Sequence, residues 1–133
     1  MVALLLGAIA GLRTLTPPAV LLRVRRPSRA ANVLAVMALA EYAADLYPKA
    51  PARTAPGPLL ARIVSGAFCG WFVSRSTPAR AVAGAGLGAL GAVAGAYAGL
   101  SFRERATKRV GPVAAAIGED VIALATAFLV ARL

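Results

Sequence analysis

The chain has 133 residues, 59% of them hydrophobic, with a formal net charge of +10, one cysteine and no histidine. That apolar share exceeds the roughly 45–50% of soluble domains; with a mean hydropathy of +0.74 it argues against a soluble fold. A single transmembrane helical domain over residues 1–133 is expected. The cysteine and histidine counts remove an internal disulfide, zinc-site spacings, Cys–His dyads and Ser–His triads, so no enzyme, cofactor or metal site is expected.

Lysine and arginine fall in short clusters between apolar runs, not in a basic patch interleaved with exposed aromatics. Nucleic acid is therefore not an expected partner, and the lipid bilayer with its anionic headgroups is.

Five apolar segments follow one another. The first, about 1–22, starts MVALLLGAIAGLR and superficially resembles a signal peptide. It lacks a basic n-region and its apolar stretch continues past Arg13, so it reads as a retained span. Inside it, Pro17 and Pro18 interrupt the helical hydrogen-bond ladder. In lipid such a break persists only where protein or a watery cavity satisfies the freed backbone. The segment is expected to be broken, either as a kinked span or as a re-entrant hairpin. The second segment runs from about 30 to 48 and the third from about 58 to 74, where Cys69 lies in the apolar run SGAFCGWF as a packing thiol.

The fourth segment, 81–102, carries no charge and holds Gly84, Gly86, Gly88, Gly91, Gly95 and Gly99. Its 22 residues, at about 1.5 Å each, cover the roughly 30 Å hydrocarbon core of a bilayer. Gly91, Gly95 and Gly99 repeat every four residues, as do Gly84 and Gly88, so a helix carries them as a groove that another helix can approach closely. We expect oligomerisation through these glycine faces. Gly66 and Gly70 offer a second close contact. The fifth segment spans about 112–131. Tyr42, Tyr47, Trp71 and Tyr97 read as packing residues or interfacial anchors.

With all five segments spanning, Arg23, Arg25, Arg26, Arg29, Arg75, Arg80 and Arg132 fall on one side. Lys49, Arg53, Arg62, Arg103, Arg105, Lys108 and Arg109 fall on the other. That balance gives no positive-inside preference. GAIAGL at 7–12 recurs as GAYAGL at 95–100, and ALAE at 38–41 is echoed by AIGE at 116–119. An offset of three segments reverses orientation, so an inverted repeat is a second expectation.

Four of the five acidic residues, Glu41, Asp45, Glu119 and Asp120, lie inside these segments. Each costs on the order of 2.5–3.5 kcal/mol at the centre of a membrane helix, so it must be paired, protonated or hydrated. Arg13 and Arg62 are the available cations. The six form either a buried network that fixes helix register or a polar path for an ion, a proton or an anionic headgroup, with Arg13, Glu41 and Glu119 the leading members. Freed backbone groups beside Arg13 would themselves be ligands.

The stretch 40–67, AEYAADLYPKAPARTAPGPLLARIVSGA, resembles the pattern of small bacterial membrane proteins of the domain of unknown function 4126 family. So do GLRTLTPPA at 11–19, GALGAVAGAYAG at 88–99 and the Gly118-Glu119-Asp120 helix. One departure is that the family carries Asp-Lys before a proline where this chain has Asp45-Leu46-Tyr47-Pro48. The resemblance implies a helical integral membrane protein and transfers no activity. Taken together, the expectation is an all-α bundle of four to five transmembrane segments in a bacterial cytoplasmic membrane. It is a small transporter or channel for an ion, small solute or lipid headgroup, or else a non-catalytic subunit of a larger membrane complex.

Overall fold

The structure, a computed structural model, describes residues 1–45 and 54–133, without the side chain of Asp45. Six α-helices follow in order: α1 (Val2–Leu12), α2 (Thr16–Arg25), α3 (Arg29–Asp45), α4 (Pro56–Ser74), α5 (Pro78–Val110) and α6 (Pro112–Arg132). Proline stands at the first position of α4, α5 and α6, where its missing N–H removes a donor that has no helical partner anyway. Among the described residues three helices, α4, α5 and α6, are long and apolar enough to cross a membrane.

α5 is longer than its charge-free run. It begins at the Thr77 cap, whose hydroxyl accepts the Arg80 N–H at 3.3 Å. It then continues through RERATKR, because arginine, glutamate, alanine and lysine are good helix formers whatever their polarity. It stops at Gly111, whose φ of 87° suits glycine, with the Gly111 N–H on the Thr107 carbonyl at 3.1 Å.

The glycines of α5 meet partners inside the same chain. A Cβ on Gly88 would run into the Gly66 carbonyl of α4, and one on Gly84 into Ser74 and the Gly70 carbonyl. On the α1 side, a Cβ on Gly91 would meet Leu4 and Ala8, and one on Gly95 would meet Ala8. Gly7 and Gly11 of α1 approach Gly88, Ala92 and Gly95 in return. α5 is thus clasped between α1 and α4, backbone against backbone, which is the contact small residues permit. Gly99 is also buried. The expected glycine groove exists, and at Gly84, Gly88, Gly91 and Gly95 it is α1 and α4 of the same chain that fill it.

The same pairings set directions. Rising numbers on α5 meet rising numbers on α1 and falling numbers on α4, so α1 runs parallel to α5 and α4 antiparallel. The GAIAGL and GAYAGL stretches therefore point the same way. Segment one is two short helices where segment four is a single long one. An inverted relation between those segments does not fit this arrangement.

The first segment folds back on itself. Met1, Val2 and Ala3, at the start of α1, share a cavity rim with Arg25, at the end of α2, and with Leu133. The Arg25 Nε–H donates to the Ala131 carbonyl at 2.7 Å. α1 and α2 are thus two arms of a hairpin whose tip, Arg13–Leu15, points into the bundle. Leu6, Ile9, Val20 and Leu21 on its arms pack with Cys69 and Phe72 of α4 and Ala123, Ala127 and Val130 of α6. Among the described residues, α3 packs principally on α2, leaving Val33, Val36, Met37 and Leu39 exposed.

Candidate functional site

The tip of the hairpin is a problem in backbone chemistry. α1 ends at Leu12 and α2 begins at Thr16, so carbonyls at one helix end and N–H groups at the other lose their helical partners. Away from water each unsatisfied group costs several kcal/mol. Pro17 and Pro18, in the first turn of α2, have no N–H to leave unpaired, which halves the difficulty on that side.

One carboxylate takes two of the N–H groups at this turn. The Thr14 N–H donates to Glu41 Oε1 at 2.7 Å and the Leu15 N–H to Oε2 at 2.8 Å. At the opposite helix end, Arg62 Nη1 donates to the Gly11 carbonyl at 2.7 Å and to the Leu12 carbonyl at 2.8 Å. The anion sits at a helix N-terminus and the cation at a helix C-terminus, as the helix macrodipole favours. Ser65, three residues beyond Arg62 on α4, donates its hydroxyl to the Thr14 carbonyl.

Arg13 lies between the two helix ends at 1% exposure and forms an ion pair with Asp120 of α6. Its guanidinium also lies 4.8 Å from the centre of the Tyr42 ring, a cation–π arrangement. The Tyr42 hydroxyl shares a hydrogen bond of 2.8 Å with the buried Thr16 hydroxyl. Glu119, 2% exposed, lines a cavity of about 220 Å³ together with Leu12, Gly99, Phe102 and Ile122.

Of the six residues singled out from sequence, five converge on this region: Arg13, Glu41, Arg62, Glu119 and Asp120. The side chain of Asp45 lies outside the described residues, as do Lys49 and Arg53 of the charge balance. Arg13 pairs with a carboxylate, Glu41 accepts from backbone N–H groups, and Arg62 donates to backbone carbonyls. Arg62 also drops out of the surface charge balance, since it is 4% exposed. Thr16, Tyr42 and Ser65 were not singled out for the site. Tyr42 directly follows Glu41, and Ser65 shares a helix face with Arg62, so proximity along one helix was the available signal.

Among the described residues, fold and site together define an all-helical arrangement with three helices fit to cross a membrane and a cluster of ionisable side chains at the broken tip of a helical hairpin. Comparison with protein-family models, curated proteins and solved structures finds no match to it.

Proposed function

We propose that this chain is a small multi-pass membrane protein of the cytoplasmic membrane whose hairpin tip forms part of a path for an ion, a small solute or a lipid headgroup. In this reading α3, α4, α5 and α6 span and the α1–α2 hairpin re-enters the bilayer. Its 11-residue and 10-residue arms reach about 15 Å from the Arg25 end, about half of a hydrocarbon core.

The observation that carries the reading is the broken helix with charged side chains at both of its ends. Transporters build their binding sites near the bilayer midplane from such discontinuous helices, and ionisable residues at that depth lean towards function. The roles divide by geometry. Glu41 and Arg62 hold the tip open as a hairpin, Arg13 with Asp120 sets the local charge, and Glu119, beside its cavity, receives the cation or proton.

Glu119→Gln keeps the shape of the side chain and removes its charge. In liposomes this variant is expected to insert like the parent and to lose proton- or cation-coupled flux. Parental flux in the inserted variant refutes the role.

A second reading, a non-transporting subunit, draws on one observation: Glu41 and Arg62 already direct their charges at backbone groups, as structural bolts do. Purification in mild detergent separates the two readings. A stoichiometric protein partner favours the subunit, and a homogeneous preparation of this chain alone favours the transporter.

A further inference from the structure

Between α2, α3 and α6 runs a crevice of about 440 Å³ whose walls include Val20, Val36, Leu39, Leu124 and Phe128. That volume falls within the roughly 300–1,000 Å³ of ligand sites. The crevice arises because α3 leans on α2 and stands away from α6. Its inner end is floored by Thr16 and Tyr42, which are hydrogen-bonded to each other. Its outer end is formed by Arg23 and Asn32, joined by a hydrogen bond between the guanidinium and the Asn32 side-chain oxygen. From Thr16 to Arg23 the crevice follows seven residues of α2, about 10 Å of rise.

The two ends differ in charge. Arg23 belongs to the end of the bundle where α2 stops and α3 starts, with Arg25, Arg26 and Arg29 beside it. Arg80 and the close of α6 lie at this end too, around the cavity that Met1, Arg25 and Leu133 line. All five carboxylates lie elsewhere: Glu41 and Asp45 late in α3, Glu104 late in α5, Glu119 and Asp120 early in α6. An occupant must therefore be apolar along its length and anionic at the Arg23 end. A second helix meets the first requirement and leaves the arginines unanswered; a neutral lipid does the same.

We infer that this crevice holds one acyl chain of an anionic glycerophospholipid, its phosphate taken by Arg23 at the basic end. The site rests on the membrane reading above and not on transport. Arg23 is exposed and bonded only laterally to Asn32, so its guanidinium keeps donors for a phosphate. The chain displaces no polar partner from the crevice walls, and Tyr42 at the floor joins the bound lipid to the Arg13 cluster through ring stacking.

The test uses the full chain, purified in detergent, stripped of lipid and offered dioleoyl phosphatidylglycerol or dioleoyl phosphatidylcholine, with retention read by native mass spectrometry. One phosphatidylglycerol per chain is expected to persist at activation energies that remove phosphatidylcholine. Arg23→Gln, a surface change, is expected to reduce that selectivity about fivefold, in line with the attraction of one arginine for an anionic headgroup. Ala35→Phe, which fills the crevice from α3, is expected to abolish retention of both lipids. Equal retention of the two lipids by the parent overturns the site, and so does selectivity unchanged by Arg23→Gln. A co-purifying protein helix that crosslinks from position 36 also overturns it. A chain that stays soluble without detergent instead defeats the membrane reading itself, which keeps the two failures distinguishable.

Discussion

Gly88→Val is expected to unfold the bundle, while Gly86→Ala, two residues away on the same helix, leaves it intact. A side chain at 88 enters the space of the Gly66 carbonyl and the Gly70 backbone, and Gly7 closes on the same residue from α1. No flexible side chain can yield there, because the obstacles are main-chain atoms of α4. Overpacking a core typically costs about 1–3 kcal/mol even where neighbours relax. With rigid backbone as the obstacle, a loss at the upper end of that range, about 3 kcal/mol, is expected. At Gly86 an added methyl meets nothing within 4 Å. There the helix-propensity gain of alanine over glycine, about 1 kcal/mol, is free to act. Denaturation followed by circular dichroism in detergent reads both. A Gly88→Val protein as stable as Gly86→Ala contradicts the close approach of α4 to α5.

Glu41→Ala is expected to cost nearly as much for a different reason. It leaves the Thr14 and Leu15 N–H groups facing a space without an acceptor. Each unsatisfied donor costs about 1–3 kcal/mol, so a total of roughly 2–6 kcal/mol follows. Glu41→Gln discriminates between charge and geometry. A glutamine offers one carbonyl and turns an NH₂ towards the second N–H, so it recovers part of the loss at most. Full recovery by glutamine shows that a single hydrogen bond holds the tip and removes the macrodipole contribution. The readout is the denaturation midpoint of the two variants against the parent.

Much of this arrangement could be read from residue spacing. The charge-free run with its four-residue glycine repeat located α5 and foretold a close helix contact. The scarcity of acidic residues, set against Arg13 and Arg62, marked the residues that converge at the tip. The adjacent prolines marked the break. What spacing could not convey is which surface answers which. A glycine groove is equally suited to a neighbouring molecule and to another helix of its own chain, and only the matching Gly7, Gly11, Gly66 and Gly70 decide for the latter. Likewise a carboxylate in a membrane segment calls first for an arginine. The stronger claim came from two N–H groups left bare by a chain reversal, and such a claim has no signature in residue type. Tyr42 has no signature of the site in sequence, because an aromatic ring next to an apolar run serves packing far more often than it stacks on a buried guanidinium.

The length of α5 has a practical consequence for orientation. Its 33 residues rise about 50 Å against a hydrocarbon core of roughly 30 Å. In the proposed membrane arrangement the closing turns, with Arg103, Arg105, Lys108 and Arg109, stand in water as a stalk beyond one leaflet. Trypsin outside sealed vesicles meets this stalk from one compartment only, and cleavage there releases a C-terminal piece carrying α6. The arginines at the opposite rim of the bundle answer to the other compartment, while Arg13 and Arg62 are shielded inside. The protein thus carries its own protease-readable compass.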